Sequence, residues 1–170
     1  MENEKKYILT NLVSAVPMTK SEFRSYMKGV NGSGTTIPSI VKGLFTSEKS
    51  LDIEGYMVTM SGNLYWFPKN VFESMTIEVI DNKKLPSGVN IDEEMVDKFI
   101  HSHDTMTLGN KTTVVRATLQ NGYEVIESSG CVDAENYDIS VGEAACMKRV
   151  KTKVWEYLGF LLQTAWKSKQ

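Results

Sequence analysis

Gln120-Asn121-Gly122 stands between two β-prone runs, residues 113–119 (TVVRATL) and 123–128 (YEVIES). No other feature limits the fold of this chain as strongly. Asn and Gly both tolerate the positive φ of a type I′ turn, so the pair predicts a tight antiparallel hairpin. A lone hairpin is marginal in water and must bury its apolar face against another element. That element follows in the sequence. Met147, Val150, Val154, Leu158, Leu161 and Ala165 recur at three- and four-residue steps, which predicts a helix over residues 140–166. At 1.5 Å per residue it would run roughly 40 Å, longer than a small domain is wide. Gly159 stands where it can weaken or kink the helix near its end. A helix of this length braces two modules or pairs with a second subunit, so a homo-oligomer through it is expected.

Upstream of the hairpin, Asp92 caps a further helix whose Met95, Val96, Phe99 and Ile100 share one face. Gly109-Asn110 breaks the chain before the hairpin. The amino-terminal half reads differently. Residues 7–16 are β-prone and end at Pro17, and Thr19 with Glu22 forms a capping-box pattern before a helix carrying Phe23, Tyr26 and Met27 and stopping at Gly29. Residues 30–51 form a long loop. Residues 54–60 and 64–67 are strands around a Ser61-Gly62-Asn63 turn, and Pro68 opens a short helix with Val71, Phe72 and Met75. Residues 76–80 are β-prone. The expected fold class is α+β: an amino-terminal module of about four strands with short helices (residues 1–80), a linker (81–90), then helix, β-hairpin and long carboxy-terminal helix (91–170).

Composition removes several function classes. With 41% hydrophobic and 24% charged residues the 170-residue chain is globular rather than disordered. A net charge of −2 lacks the basic excess of a dedicated nucleic-acid binder. Cys131 and Cys146 form no CxxC pair and accompany only two histidines, too few for a disulfide framework. They read as reduced, buried hydrophobes. The first apolar stretch is interrupted by Asn11 and Ser14 and reads as a strand, not a signal peptide or membrane span. A soluble cytoplasmic protein without membrane contact is expected.

Three segments of the carboxy-terminal half carry a resemblance. They are the hairpin from Thr113 to Val125, the run Glu127-Ser128-Ser129-Gly130-Cys131 through Asn136-Tyr137-Asp138 and Gly142, and residues 153–162 (KVWEYLGFLL). In this order they resemble the phage "gene 49 / gene 66" accessory family over roughly residues 92–166, with Ala134 where a proline is expected. The amino-terminal half separately resembles a leader segment of small phage proteins, through Ala15-Val16-Pro17-Met18-Thr19, Glu54-Gly55-Tyr56-Met57-Val58 and residues 65–73 (YWFPKNVFE). That leader can precede the second Thoeris anti-defence family, which sequesters nucleotide immune signals. The resemblances imply a phage origin and a host-facing accessory role, and assign no catalytic residue.

Candidate sites are few. His101, His103 and Asp104 cluster at a predicted helix end, where histidines suit the negative end of the dipole; a zinc site would need further ligands. Cys131 with a histidine lacks an orienting third group. Asn31-Gly32-Ser33-Gly34 lacks the Gly-Lys-Ser/Thr ending of a phosphate loop. Tyr65-Trp66-Phe67 must alternate faces, leaving at least one ring away from a one-sided core. The strongest set is basic and aromatic. Lys148, Arg149, Lys151 and Lys153 crowd one stretch of the long helix, a pattern that also fits a solvated face paired with Glu143 and Glu156. As an anion site, Lys148 and Arg149 would bind phosphate with Arg116 from the hairpin, while Asn136, Tyr137 and Trp155 bind a base. The expectation is binding without catalysis, metal or cofactor: capture of a small nucleotide-like host signal. The alternatives are a protein–protein or nucleic-acid interaction module used in phage takeover, and a hydrolase acting on the same signals.

Overall fold

A computed structural model of the protein describes residues 11–30 and 53–167. The chain divides into two compact units, the first comprising Met1–Ile77 and Ala165–Gln170 and the second Glu78–Thr164. The α+β class is as expected. Residues 30–51, read as a long loop, lie almost wholly outside the described residues.

The first unit holds a three-stranded antiparallel sheet in the order β1 (Ser14–Thr19), β2 (Glu54–Met60), β3 (Asn63–Pro68). Of the β-prone run 7–16, residues 7–10 lie outside the described residues; strand β1 continues through Pro17. It can do so because β1 is an edge strand, where the missing N–H of proline need not break a ladder. Helix α1 (Lys20–Val30) follows at once. The predicted capping box is present: the Glu22 N–H donates to Thr19 Oγ1 (3.2 Å), and the Thr19 N–H donates to Glu22 Oε2 (2.7 Å). That bond holds the Glu22 carboxyl below its usual range.

Trp66 from β3 is buried with Phe23 and Met27 of α1, and its indole N–H donates to the Met18 carbonyl (3.2 Å). Its neighbours Tyr65 and Phe67 point the other way. That face is covered by the unit's own helix α2 (Lys69–Met75), whose Phe72 meets Tyr56 at 4.7 Å and Phe67 at 6.3 Å between ring centroids. Three strands are present among the described residues, where about four were expected. Residues 76–80 are not a strand: Val79 and Ile80 instead insert their side chains against the core of the second unit. Their β propensity reflects apolar, branched side chains that burial satisfies without a ladder.

Early in the second unit, the Asn82 N–H donates to the Gly88 carbonyl across a turn (2.6 Å). Helix α3 (Glu93–Phe99) is capped by Asp92, whose carboxylate accepts from the Met95 N–H (2.9 Å). The helix is short. From Ile100 the chain becomes strand β4 (Ile100–Leu108), so the histidine cluster lies on a strand and not at a helix end. Nothing in the polar run HSHDT shows strand periodicity, and only pairing with β5 (Thr112–Leu119) makes it one. With β6 (Glu124–Gly130) these strands form an antiparallel sheet in the order β4-β5-β6.

The β5–β6 hairpin is present, but its turn is of another type. Gly122 alone has positive φ (79°); its N–H donates to Leu119 (2.9 Å), and the Leu119 N–H donates to Tyr123 (2.8 Å). This is a three-residue loop with a bulge glycine, not a type I′ turn. Asn121 keeps an ordinary φ and uses its side chain to accept from the Tyr123 N–H (3.0 Å). The paired positive φ values occur instead at Ser61 (50°) and Gly62 (77°), between β2 and β3.

Helix α4 (Ile139–Lys167) runs 29 residues, close to the predicted span. Its Cys146, Val150, Val154 and Leu158 are buried, most of them with Met95, Val96 and Phe99 of α3 and Ala117, Leu119 and Val125 of the sheet. Gly142 lets the start of α4 lie on β5, since a Cβ there would sit 2.0 Å from Thr113 Oγ1.

Candidate functional site

Strand alternation decides where the basic residues point. Val115, Ala117 and Leu119 are buried beneath the helices, so Arg116 leaves the opposite face of the sheet. There its guanidinium meets Asp104 of β4 (2.7 Å) and Glu124 of β6 (3.8 Å), which hold it more firmly charged. Around this trio the same face exposes Met106, Leu108 and Ile126, at 52%, 65% and 60% of their surface. The register places Met106 beside Val114 and Ile126 beside Arg116. No helix of the second unit lies on these side chains.

Arg149 stands on the helix side. Its Nε donates to Glu127 Oε2 (2.9 Å) and its Nη2 to the Ser128 carbonyl (2.5 Å). Lys153 reaches the other oxygen of Glu127 (2.5 Å), so one largely enclosed carboxylate binds two cations. Lys153 and then Arg149 lower the Glu127 pKa, against the opposing effect of burial. Lys151 turns to the other flank of α4 and binds Asp97 of α3 (2.6 Å). The basic stretch is therefore divided among carboxylates on both sides of the helix. Lys148 and Trp155 lie on the outward side of α4 and are exposed.

Tyr137 ends the 3-10 turn Ala134–Asn136. Its hydroxyl bonds the hydroxyls of Thr107 (2.8 Å) and Thr113 (3.0 Å), pinning the loop before α4 to two strands. Thr113 is fully buried, so this contact satisfies a hydroxyl that would otherwise be costly. The Asn136 side chain is exposed. Of the six predicted residues, Lys148 and Trp155 share the outward side of α4, Tyr137 belongs to the structural framework, and Arg116 and Arg149 lie on opposite sides of the sheet. They do not meet in one recess.

What the sequence does not show is which acid meets which cation. Glu127, Asp104, Asp97 and Glu143 each bind a basic side chain; the last meets His103 Nε2 at 3.1 Å, which keeps the Glu143 carboxyl low. A signal existed: Glu127 is two residues from Val125, so period-two alternation puts both on the helix side. His101 and His103 lie two apart on β4, and among the described residues no three His, Cys, Asp or Glu side chains are grouped to hold a metal. Cys146 is buried, its thiol pushed up by desolvation, and it lies 3.6 Å from Arg149 Nη2. No helix among the described residues is long and apolar enough to cross a membrane.

Residues 91–166 match the model of the Phage protein (N4 Gp49/phage Sf6 gene 66) family. No curated protein and no solved structure matches the chain.

Proposed function

Because its carboxy-terminal segment belongs to this N4 Gp49/Sf6 gene 66 family of phage proteins, we propose that the chain is a phage accessory protein that binds a host protein non-covalently in the infected cell's cytoplasm. The outer face of the β4-β5-β6 sheet is the contact surface. One observation carries the reading: Met106, Leu108 and Ile126 are exposed around the Arg116–Asp104 pair. Exposed apolar side chains beside a charged pair favour a protein partner.

Capture of a nucleotide-like signal is the less supported reading. Phosphate binding needs several free cations that converge, and Arg116, Arg149, Lys151 and Lys153 are each engaged by a carboxylate, which leaves Lys148 alone of the predicted cations on the outward side of α4. The amino-terminal resemblance is what favours it. Two measurements separate the readings. The full chain should retain one host protein at fixed stoichiometry from infected-cell lysate, and Ile126→Asp should abolish retention. Calorimetric titration with cyclic and ADP-ribose-type nucleotides should give no heat. Saturable heat at near-equimolar nucleotide, with Ile126→Asp leaving it intact, would replace protein binding by capture.

A further inference from the structure

The outward side of α4 carries a tryptophan among small and polar residues. Val141, Ala144, Lys148, Thr152, Trp155, Gly159 and Leu162 follow at steps of three and four, which places them on one stripe of the helix. Val141 is 67% and Trp155 45% exposed, and a Cβ added at Gly159 would meet nothing within 4 Å. Thr152 turns its hydroxyl back to the Lys148 carbonyl (3.0 Å), which leaves its methyl group to face outward.

The charges on this side identify the occupant. In the stretch from 148 to 156, Arg149, Lys151 and Lys153 bind acids of their own unit. Lys148 and Glu156 are exposed and reach no opposite charge within ion-pair distance among the described residues. They stand eight residues apart, with Thr152 midway. If two copies of α4 lie antiparallel with the two-fold axis at Thr152, Lys148 of each falls opposite Glu156 of the other. The same operation sets Trp155 beside the aliphatic stem of the other copy's Lys148 and brings Gly159 opposite Ala145, two small residues where the backbones come close. An isologous interface must be self-complementary in this sense, and a parallel pairing would set like charges against each other.

We propose that this face binds a second copy of the chain, making an antiparallel α4–α4 dimer centred on Thr152 and closed by two Lys148–Glu156 ion pairs. The interface is separate from the outer sheet face assigned above to a host protein, and it stands without that assignment.

Charge reversal tests it on the full-length chain, with mass followed by light scattering across a concentration series. The wild-type protein should be a dimer. Lys148→Glu and Glu156→Lys should each raise the dissociation constant by about tenfold or more, because like charges then face each other twice. An equimolar mixture of the two single variants should recover a dimer, since both ion pairs are restored only in the heterodimer. Far-ultraviolet circular dichroism should be unchanged in both, as these positions are exposed. A monomeric wild-type protein would overturn the proposal. So would a dimer indifferent to either reversal, or one that mixing does not restore.

Discussion

The two sheets have the same number of strands and opposite relations to solvent. In the first, a short helix packs against each face of β1-β2-β3: α1 lies over Trp66, and α2 lies over Tyr56 and Phe67. In the second, a single long helix with α3 covers one face of β4-β5-β6, and the other face carries exposed Met106, Leu108 and Ile126. Strand count and antiparallel order therefore say little about which surface a small sheet leaves for partners. What decides it is the number of helices available and which side each one reaches. In the first unit Trp66 is buried and Phe67 packs on Phe72, whereas the scattered aliphatics on the second sheet stay exposed.

The comparison breaks most sharply at Trp66. Replacing it with alanine removes a buried indole and its bond to Met18, and should cost about 3–5 kcal/mol. The loss should appear in urea unfolding followed by circular dichroism, and hydrogen exchange should localise it to residues of the first unit. An effect below about 1 kcal/mol would mean that this core contributes little, and the two-sided picture of the first sheet would fail.

An intermediate effect is expected on the helix side of the second sheet. Glu127→Gln weakens the bonds to Arg149 and Lys153 and should cost about 1–2 kcal/mol. The sign of its pH dependence follows from the lowered carboxyl pKa. The contribution is complete above the unfolded-state value near ~4.3 and is lost as pH falls through the lower folded value. The wild-type protein should therefore lose more stability than the Gln variant on acidification below about pH 4.5. Parallel pH profiles for the two would show that the triad holds nothing.

The smallest effect belongs to the bare face. Ile126→Asp, the variant expected to abolish partner binding, should change stability by no more than about 0.5 kcal/mol, because the side chain is already in water. A loss of several kcal/mol would mean that the face is packed in solution and unavailable to a partner.

Much of the architecture was legible in the residues. The Thr19–Glu22 box, the Asp92 cap and the β2 span rest on contacts within a few positions along the chain, and each appears as read; the α4 stripe holds at Val150, Val154 and Leu158, whereas Leu161 is exposed and Cys146 is buried instead. The β5–β6 turn shows the limit of such reading: Gln120 joined the loop, so Asn121 never needed positive φ. Strand β4 was missed because its sequence does not alternate. Its pairing with β5 makes it a strand, and pairing is not a local property. The predicted binding residues are dispersed for a related reason. Val115, Ala117 and Leu119 already implied that Arg116 faces away from α4, but the positions of the acids opposite each cation depend on strand register and helix rotation.

Sequence by itself determined the fold class, the caps, the hairpin and the face that α4 buries, because backbone propensity and hydrophobic period act over a few residues. Only the tertiary structure decided which cations are already neutralised, which sheet face remains open, and that Lys148 and Glu156 reach no opposite charge among the described residues. Electrostatic pairing acts across space between segments distant in the chain, and no spacing along the sequence encodes that distance.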